Sequence, residues 1–389
     1  MSRLYEALRA EPGPCALFES TTPRGPLSLR SLLARRPRWV FAGSDPVVAM
    51  GELRRRLAAL PRDGGIAGAL AYDFARPPAR RARTPVVVAL GVDRFEEEEP
   101  SPPPAPDPSA TALDLARHSN FTRARYRECV LRIKEHIARG DIYQANLSQR
   151  FALPWDQGGL ALYERLRRVS PAPFAGYLRA AGLEIVSASP ERLLSVEGDT
   201  AVTRPIAGTR PRSADEGRDR SLRAELLLSE KERAEHLMLV DLARNDLGQV
   251  ARTGSVQVDE LMLVEDYSHV RHIVSNVTAR LEAGRGALDA LVALFPGGTI
   301  TGVPKKRCME ILDAVEPAPR GFYTGALFYV TGGGRLDANI LIRSAVVREG
   351  TLVFHAGGGI VADSDPDVEY EETLHKAEAM RLAIASLLT

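Results

Sequence analysis

Cysteine, tryptophan and long apolar runs are all scarce in this chain. Its 389 residues include three cysteines and two tryptophans. Cys15, Cys129 and Cys308 stand far apart, and no CxxC spacing occurs. This pattern argues against a disulfide framework and a thiolate zinc site, and it is typical of a reducing compartment. We therefore expect a cytoplasmic protein whose core needs no covalent cross-links.

Net charge is nearly absent as well. The chain has 51 Lys and Arg residues against 50 Asp and Glu residues, which leaves a net charge of +1. Such a chain lacks the basic surface with which proteins bind nucleic acids or anionic membranes. No stretch approaches the roughly 20 apolar residues of a membrane helix, and charges stand where a signal peptide needs an apolar run. We expect neither nucleic-acid nor membrane partners.

One composition shift suggests how the chain is organised. The segment FEEEEP is followed by SPPPAPDPSA between residues 95 and 110. Glutamates repel one another and prolines cannot donate to a β-ladder, so this stretch reads as exposed chain. We predict a linker or long loop over 99–117, a smaller N-terminal region over 1–98 and a larger domain over 118–389.

Hydrophobic periodicity predicts helices and strands that come in separate groups. Helical spacing covers about 126–140, 230–247, 305–315 and 368–388. Predicted strands span 65–72, 86–92, 150–154, 184–189, 323–330, 338–347 and 351–356. Strands adjoin strands, without regular βαβ alternation, which favours an α+β fold with antiparallel sheets.

Two of the predicted helices carry paired glutamates. Glu232 and Glu235 are three residues apart, as are Glu369 and Glu372, and Lys376 follows four residues later. Residues with this spacing share one helix face. Clustered carboxylates suit Mg²⁺, a hard cation that takes oxygen ligands. The alternative is a pair of solvated acidic faces with pairs such as Glu372–Lys376.

Other candidate residues could have either a functional or a purely structural role. Arg343 interrupts an apolar segment, where its charge needs a carboxylate from a ligand or from the protein. His272 and Glu191 could transfer protons, and Tyr323 reads as a core residue. The glycine-rich segments 295–305 and 355–366 could bring backbone N–H groups to an anion or simply form turns.

Taken together, these segments resemble the chorismate-using enzymes, specifically component I of aminodeoxychorismate synthase and component I of anthranilate synthase. The blocks that carry the resemblance are DIYQANLSQRF (141–151), SASPERL (187–193), TRPIAGTRPR (203–212), KERAEHLMLVDLARNDLGQV (231–250), YSHVRHIVSNV (267–277), FPGGTITGVPKKRCMEILDAVEP (295–317), NILIRS (339–344) and AGGGIVADSDPDVEYEETLHKAEAM (356–380). They stand in the family's order and cover most of 118–389, whereas 1–98 matches weakly.

The resemblance implies a fold and a site. The fold would be two large packed antiparallel β-sheets flanked by helices, with 1–98 contributing to the sheets and 118–389 forming the chorismate-binding catalytic domain. Mg²⁺ would be held by Glu235 and Glu372, supported by Glu232 and Glu369. Glu191 would be the general acid and His272 would line the catalytic site. The substrate-binding residues would be Gly208, Thr299, Tyr323, Arg343, Gly359 and Lys376.

The resemblance also bears on the nucleophile. Gln144 stands where related water-adding enzymes have a lysine base, and a neutral amide cannot act as a base, so ammonia is expected instead of water. No glutaminase-like segment is present in the chain, so the resemblance implies ammonia from a separate glutamine amidotransferase subunit.

The block pattern favours aminodeoxychorismate synthase component I, which makes 4-amino-4-deoxychorismate for a downstream aminodeoxychorismate lyase and folate. Ala207 stands where many such enzymes have a lysine and is usual in anthranilate synthases, so anthranilate synthase component I is the alternative. A non-catalytic chorismate-binding subunit is a further one.

Overall fold

The structure is a computed structural model of the chain. It describes residues 3–20, 31–76, 85–99, 103, 113–213, 215–266 and 270–388, except for the side chains of residues 209, 231 and 270. The central part of the predicted linker over 99–117 therefore lies outside the described residues. Nowhere in those ranges does a helix combine the length and apolar character needed to cross a membrane.

Helices border the described chain at both ends and separate its groups of strands. Their bounds are α1 Arg3–Arg9, α2 Pro46–Ala58, α3 Arg123–Ala138, α4 Gly158–Val169, α5 Glu216–Leu228, α6 Glu230–Gly248, α7 Ala287–Leu294, α8 Lys305–Val315 and α9 Pro366–Ala385. The four helices predicted from periodicity correspond to α3, α6, α8 and α9. Ser229 caps α6 and Asp365 caps α9, because each side chain accepts hydrogen bonds from first-turn N–H groups.

Groups of consecutive strands belong by turns to two different sheets. Their bounds are β1 Cys15–Glu19, β2 Ser31–Arg35, β3 Trp39–Gly43, β4 Gly65–Leu70, β5 Val87–Val92, β6 Glu96–Glu98, β7 Gln144–Pro154, β8 Phe174–Ala180, β9 Leu183–Ser189, β10 Arg192–Glu197, β11 Thr200–Thr203, β12 Ile206–Pro211, β13 Gln257–Asp266, β14 Val270–Arg280, β15 Gly302–Val303, β16 Ala326–Thr331, β17 Leu336–Asn339, β18 Ser344–Arg348 and β19 Thr351–Ile360.

Two large antiparallel sheets form the framework. The first sheet has nine strands in the order β15-β7-β19-β18-β9-β8-β1-β2-β6. The second has ten, in the order β12-β14-β11-β10-β17-β16-β4-β5-β3 with β13 beside β14. Strands from before residue 99 join later strands in both sheets, as in the pairs β1–β8 and β4–β16. The α+β class with packed antiparallel sheets is confirmed.

Apolar side chains from both sheets make one buried layer between them. Leu178 and Ile185 of the first sheet pack there with Ala67, Leu90 and Leu327 of the second. Burying such side chains is the main favourable term that holds two sheets together. Helices α4 and α9 cover the outer face of the first sheet, where their apolar side chains form a second core.

The prediction of one continuous strand over 338–347 is wrong. The chain leaves the second sheet after Asn339 and enters the first at Ser344, so the apolar run belongs to two strands of different sheets. Asn339 Nδ2 donates to the Phe174 carbonyl and Ser344 Oγ donates to Ser187 Oγ, which fixes both ends of the crossing. Arg343 lies in this crossing with a φ of 49° and not inside a strand. Hydrophobicity alone carries no information about which sheet a residue joins.

Candidate active site

The crossing between the sheets places Arg343 close enough to Glu191 and His272 for their charges to interact. The Arg343 side chain is accessible to solvent, yet the surrounding protein removes enough solvation to lower the pKa of the guanidinium, while Glu191 acts in the opposite direction. Arg343 also lowers the pKa of His272, and both Lys376 and Arg343 lower that of Glu191. These mutual effects show that the four residues share one electrostatic environment. We refer to Glu191, His272, Arg343 and Lys376 as the charged cleft.

Glu191 supplies the carboxyl group of this cleft, and its surroundings alter its pKa. It follows the end of β9, where Ser189 Oγ accepts a hydrogen bond from its N–H at 3.2 Å, and its carbonyl accepts from the Ile340 N–H at 3.0 Å. Thr299 Oγ1 donates to Glu191 Oε2 at 3.4 Å. Burial raises the pKa of Glu191 and outweighs the opposing effects of Lys376, Arg343 and Thr299. A carboxyl group that keeps its proton to higher pH can act as a general acid.

His272 enters the cleft from the second sheet. It lies on β14, opposite β12, and its Nδ1 is 3.3 Å from the Gly208 carbonyl oxygen. Burial lowers its pKa, which favours the neutral form of the imidazole. Gly208 has a φ of 66°, and a Cβ there would meet Glu232 Oε2 at 2.9 Å and Leu226 at 2.8 Å. The glycine at 208 is therefore required both by its backbone and by the close approach of Glu232.

The paired glutamates of α9 meet the first sheet at a glycine. A Cβ on Gly358 would lie 3.2 Å from Glu369 Oε2 and 3.5 Å from Glu372 Oε1. Ser364 Oγ donates to Glu369 Oε1 at 2.6 Å. Lys376 Nζ is 2.6 Å from Glu372 Oε1 and donates to the Gly357 carbonyl at 3.2 Å. The i, i+3 spacing thus places both carboxylates over one point of β19.

The other pair of glutamates belongs to α6, the helix beside the second sheet. Helix α6 packs against β12 and β14, and His236 Nε2 is 2.6 Å from Ser275 Oγ of β14. Arg210 donates to Glu232 Oε1 at 3.1 Å, and Glu235 is half-buried on the same helix. Among the described residues, no group of three or more Asp, Glu, His or Cys side chains is close enough to hold a metal ion. The structure brings Glu369 and Glu372 together but does not gather all four predicted ligands.

The remaining predicted residues line the space between the sheets. The Tyr323 ring is buried and stacks on His355 with centroids 4.9 Å apart. A Cβ on Gly359 would collide with the Gln144 side-chain amide, so a bare backbone is needed at this point of β19. Gln144 Oε1 is buried and has no hydrogen-bond partner in the described structure. Such an orphaned acceptor is costly and is expected where a ligand completes the hydrogen bonds.

Two residues of the site were not predicted from the sequence. Arg210 balances the charge of Glu232, and Asn146, whose buried Oδ1 has no partner among the described groups, follows Gln144 by two residues on β7. The alternation of β7 could have revealed Asn146, because residues two apart share one face of a strand. Arg210 could not be found from spacing, since its partner is 22 residues away on another element.

Comparison with known proteins shows consistent similarity. The chorismate binding enzyme family model matches residues 52–382. Anthranilate synthase component 1 of Pseudomonas putida is 49% identical over 267 residues, which are 69% of this chain and 54% of that protein. The protein of the same name from Aquifex aeolicus is 48% identical over 266 residues, 68% of this chain and 54% of its own. The chain therefore spans about half the length of these curated relatives.

Solved structures show the same likeness. Anthranilate synthase component I from Streptococcus pneumoniae superimposes with a TM-score of 0.78 at 29% identity, covering 92% of this chain and 93% of that one. A structure described as the 2,3-dihydroxybenzoate-specific isochorismate synthase DhbC from Bacillus anthracis has a TM-score of 0.78 at 25% identity and covers 98% of both chains.

These similarities correct one interpretation of the sequence. The block pattern favoured aminodeoxychorismate synthase, the folate pathway and a downstream aminodeoxychorismate lyase, but the similar curated relatives named here are anthranilate synthases. The physical reason lies at residue 207. A methyl group cannot attack carbon, so Ala207 cannot supply the covalent step that a lysine at that position would provide.

Proposed function

We propose that this chain, which belongs to the chorismate binding enzyme family, is the chorismate-converting component of an anthranilate synthase. The reaction consumes chorismate and ammonia and yields anthranilate, pyruvate and water. The observation that carries the proposal is the 49% identity to a relative named anthranilate synthase component 1. The geometry of the charged cleft supports it, since a dianionic substrate needs Arg343 and Lys376 nearby.

Substrate binding is assigned to groups from both sheets. Chorismate carries two carboxylates, and Arg343 offers a planar pair of donors to one of them. The Gly359 N–H and the Tyr323 hydroxyl are the neutral donors proposed beside it. Burial raises the pKa of Tyr323, so its hydroxyl keeps the proton that it must donate. Fixed donors in a partly dry cleft hold the substrate more strongly than the same groups in water.

Glu191 is proposed to protonate the leaving group. Hydroxide is a poor leaving group, and transfer of a proton to the C4 oxygen of chorismate lets it depart as water. The raised pKa of Glu191 supports this role, and the Thr299 hydroxyl at 3.4 Å orients the carboxyl group. As the C4–O bond breaks, the ring electrons shift and C2 accepts the nitrogen nucleophile. Loss of the C2 proton and of the pyruvyl group then gives the aromatic product.

The carboxylates of α6 and α9 suit Mg²⁺ in their donor chemistry. All four proposed ligands, Glu232, Glu235, Glu369 and Glu372, supply hard oxygen atoms, and the missing Cβ of Gly358 lets two of them approach β19 closely. The five glutamates of the site outnumber its three basic side chains, Arg210, Arg343 and Lys376, so a dianionic substrate requires more positive charge. When bound, Mg²⁺ would neutralise a substrate carboxylate and orient the ring.

Ammonia is the proposed nucleophile. The neutral amide of Gln144 cannot deprotonate water, which disfavours the water-adding chemistry of an isochorismate synthase. The orphaned Oε1 of Gln144 can instead accept a hydrogen bond from ammonia. We propose a separate glutamine amidotransferase subunit as the source of that ammonia.

A product assay tests the proposal. The purified chain is incubated with chorismate, Mg²⁺ and an ammonium salt at mildly alkaline pH, and anthranilate is followed by its fluorescence and pyruvate by a coupled assay. We expect the two products in equal amounts, and their loss in the Glu191→Gln variant. If 4-aminobenzoate appears only after an aminodeoxychorismate lyase is added, and no anthranilate forms, the proposal fails.

A further inference from the structure

One buried guanidinium, that of Arg320, contacts several segments that carry residues of the site. Arg320 lies between α8 and β16 and is 1% exposed. Its Nε donates to Glu316 Oε2 at 2.9 Å, and its Nη1 donates to the Ile300 carbonyl at 3.0 Å and to Thr324 Oγ1 at 3.2 Å. Its Nη2 donates to the Asn146 carbonyl and to Glu316 Oε1 at 2.7 Å. The N–H groups of a guanidinium point outward from one rigid plane, so these contacts fix the acceptors relative to one another.

Two of these acceptors adjoin side chains that are proposed to act on chorismate. Ile300 follows Thr299, whose hydroxyl donates to Glu191 Oε2 at 3.4 Å. Thr324 Oγ1 in turn donates to the Tyr323 carbonyl at 2.6 Å, and the guanidinium lies 5.7 Å from the centroid of the Tyr323 ring. The position of the guanidinium therefore bears on the proposed general acid and on a proposed substrate donor.

The partner of Arg320 extends these contacts to the first sheet. Glu316 is 3% exposed, and its Oε1 accepts hydrogen bonds from the Ser148 N–H at 3.0 Å and from Ser148 Oγ at 2.9 Å. Together with the bond from Arg320 to the Asn146 carbonyl, this attaches the buried pair to β7 at both residues. Tyr323 lies just before β16 of the second sheet. The pair of Arg320 and Glu316 thus holds a strand of one sheet against a segment that leads into the other.

Stability alone does not explain a charged pair in this position. Two buried charges lose their hydration, and well-packed apolar side chains of similar size often give equal or greater stability. A guanidinium whose N–H groups are all engaged does fix geometry, because its plane is rigid. We propose that Arg320 is a positioning residue, which holds Thr299 where its hydroxyl orients Glu191. Through Thr324 it also fixes Tyr323. This role rests on the proposed conversion of chorismate.

Arg320→Lys tests the role while it keeps a positive charge beside Glu316. An ammonium group has three donors on a flexible stem and cannot reproduce the planar contacts of a guanidinium. With chorismate, Mg²⁺ and an ammonium salt, we expect kcat for chorismate consumption to fall about 10²-fold, as small misplacements in an active site do. The matched control Arg167→Lys makes the same exchange in another buried pair, Arg167–Glu19, whose side chains are 3% and 1% exposed, and should keep the wild-type kcat. A wild-type kcat in Arg320→Lys, or an equal loss in the control, would overturn the proposal.

The pKa of Glu191 provides a readout that a general loss of stability does not move. Burial raises this pKa, whereas Lys376, Arg343 and the Thr299 hydroxyl lower it. Since Arg320→Lys conserves charge, release of the Thr299 hydroxyl should leave the pKa of Glu191 higher than in the wild type. An NMR titration of protein labelled with ¹³C-glutamate measures this pKa, and the signal missing from Glu191→Gln gives the assignment. An unshifted pKa in Arg320→Lys would contradict the positioning role.

A double variant tests whether the effect passes through Thr299. Thr299→Val removes the hydroxyl and should by itself raise the pKa of Glu191. Adding Arg320→Lys should then raise that pKa no further, because the affected hydrogen bond is already absent. Additive rises would show that Arg320 acts by another route and would refute the link.

Ser148→Ala keeps the proposal testable if Arg320→Lys does not fold. It removes one hydrogen-bond donor to Glu316 and leaves the ion pair with Arg320 in place. We expect a lower kcat and a higher pKa of Glu191 than in the wild type, and wild-type values of both would defeat the proposal. The titrations need no turnover, so failure of the proposed anthranilate synthesis would leave them readable.

Discussion

Replacing Arg343 by Met tests the charged cleft most informatively. The substitution keeps the length of the side chain and removes its charge. In the part of the chain that the structure describes, no carboxylate forms an ion pair with Arg343, and Glu191 acts on it through its charge alone. The guanidinium is therefore available to a substrate carboxylate. A hydrogen-bonded contact to a charged group contributes about 1.5–3 kcal/mol. We therefore expect kcat/KM for chorismate to fall about 10- to 150-fold.

The same substitution should change the pH dependence in a defined direction. Arg343 lowers the pKa of Glu191, so its removal raises that pKa. An acid catalyst works while protonated, and activity falls as the pH rises through its pKa. The alkaline limb of the kcat/KM profile should therefore move to higher pH in Arg343→Met. The pKa of His272 should also rise, since Arg343 lowers it.

Steady-state kinetics over a range of pH provide the measurement, and Arg348→Met is the matched control. Arg348 lies five residues further along the chain and pairs with the exposed Glu349. It should leave both kcat/KM and the pH profile unchanged. A kcat/KM within threefold of wild type in Arg343→Met, with an unshifted profile, would refute the role assigned to the cleft.

Four further predictions follow from the structure. Glu191→Gln should lower kcat by about 10²–10⁴-fold. Because burial raises the pKa of this carboxyl group, the stability of the wild type falls as the pH rises through that pKa. The variant should therefore melt at a higher temperature than the wild type at pH 8 but not at pH 4. Arg320→Met should cost about 3–5 kcal/mol in chemical denaturation, since it leaves Glu316 buried and unpaired, and a melting temperature equal to wild type would contradict this. Gly302→Ala should cost about 2 kcal/mol or more, because its φ is 123° and a Cβ would collide with the Gln144 carbonyl; an unchanged denaturation midpoint would disprove the strain. Treatment with EDTA should abolish turnover and added Mg²⁺ should restore it. Full activity after exhaustive chelation would refute the proposed requirement for Mg²⁺.

Local patterns predicted four of the helices, α3, α6, α8 and α9, because the causes of helix formation are local. Helix α6 begins where Ser229 caps it and follows the apolar spacing up to Gly248. The i, i+3 spacing of Glu369 and Glu372 likewise sufficed to put both carboxylates over Gly358. A helix fixes which residues share a face, so sequence spacing is enough information.

Features that depend on long-range topology could not be predicted in this way. The run 338–347 is apolar apart from Asn339, Arg343 and Ser344, and only the packing of Asn339 and Ser344 against different sheets shows where it divides. The contacts of Arg320 join segments distant in sequence, and nothing in the composition of any one segment signals them. The choice between two aminating reactions also failed, because blocks shared by both kinds of enzyme outweighed the chemical meaning of Ala207.

The position of nitrogen in the product tests the central claim most directly. Chorismate and ¹⁵N-labelled ammonium are supplied to the purified chain with Mg²⁺, and the product is analysed by mass spectrometry and NMR. We expect ¹⁵N-anthranilate, with the label on the ring carbon next to the carboxyl-bearing carbon, and one pyruvate for each molecule formed. A label on the carbon opposite the carboxyl-bearing carbon, with the pyruvyl group still attached, would contradict it.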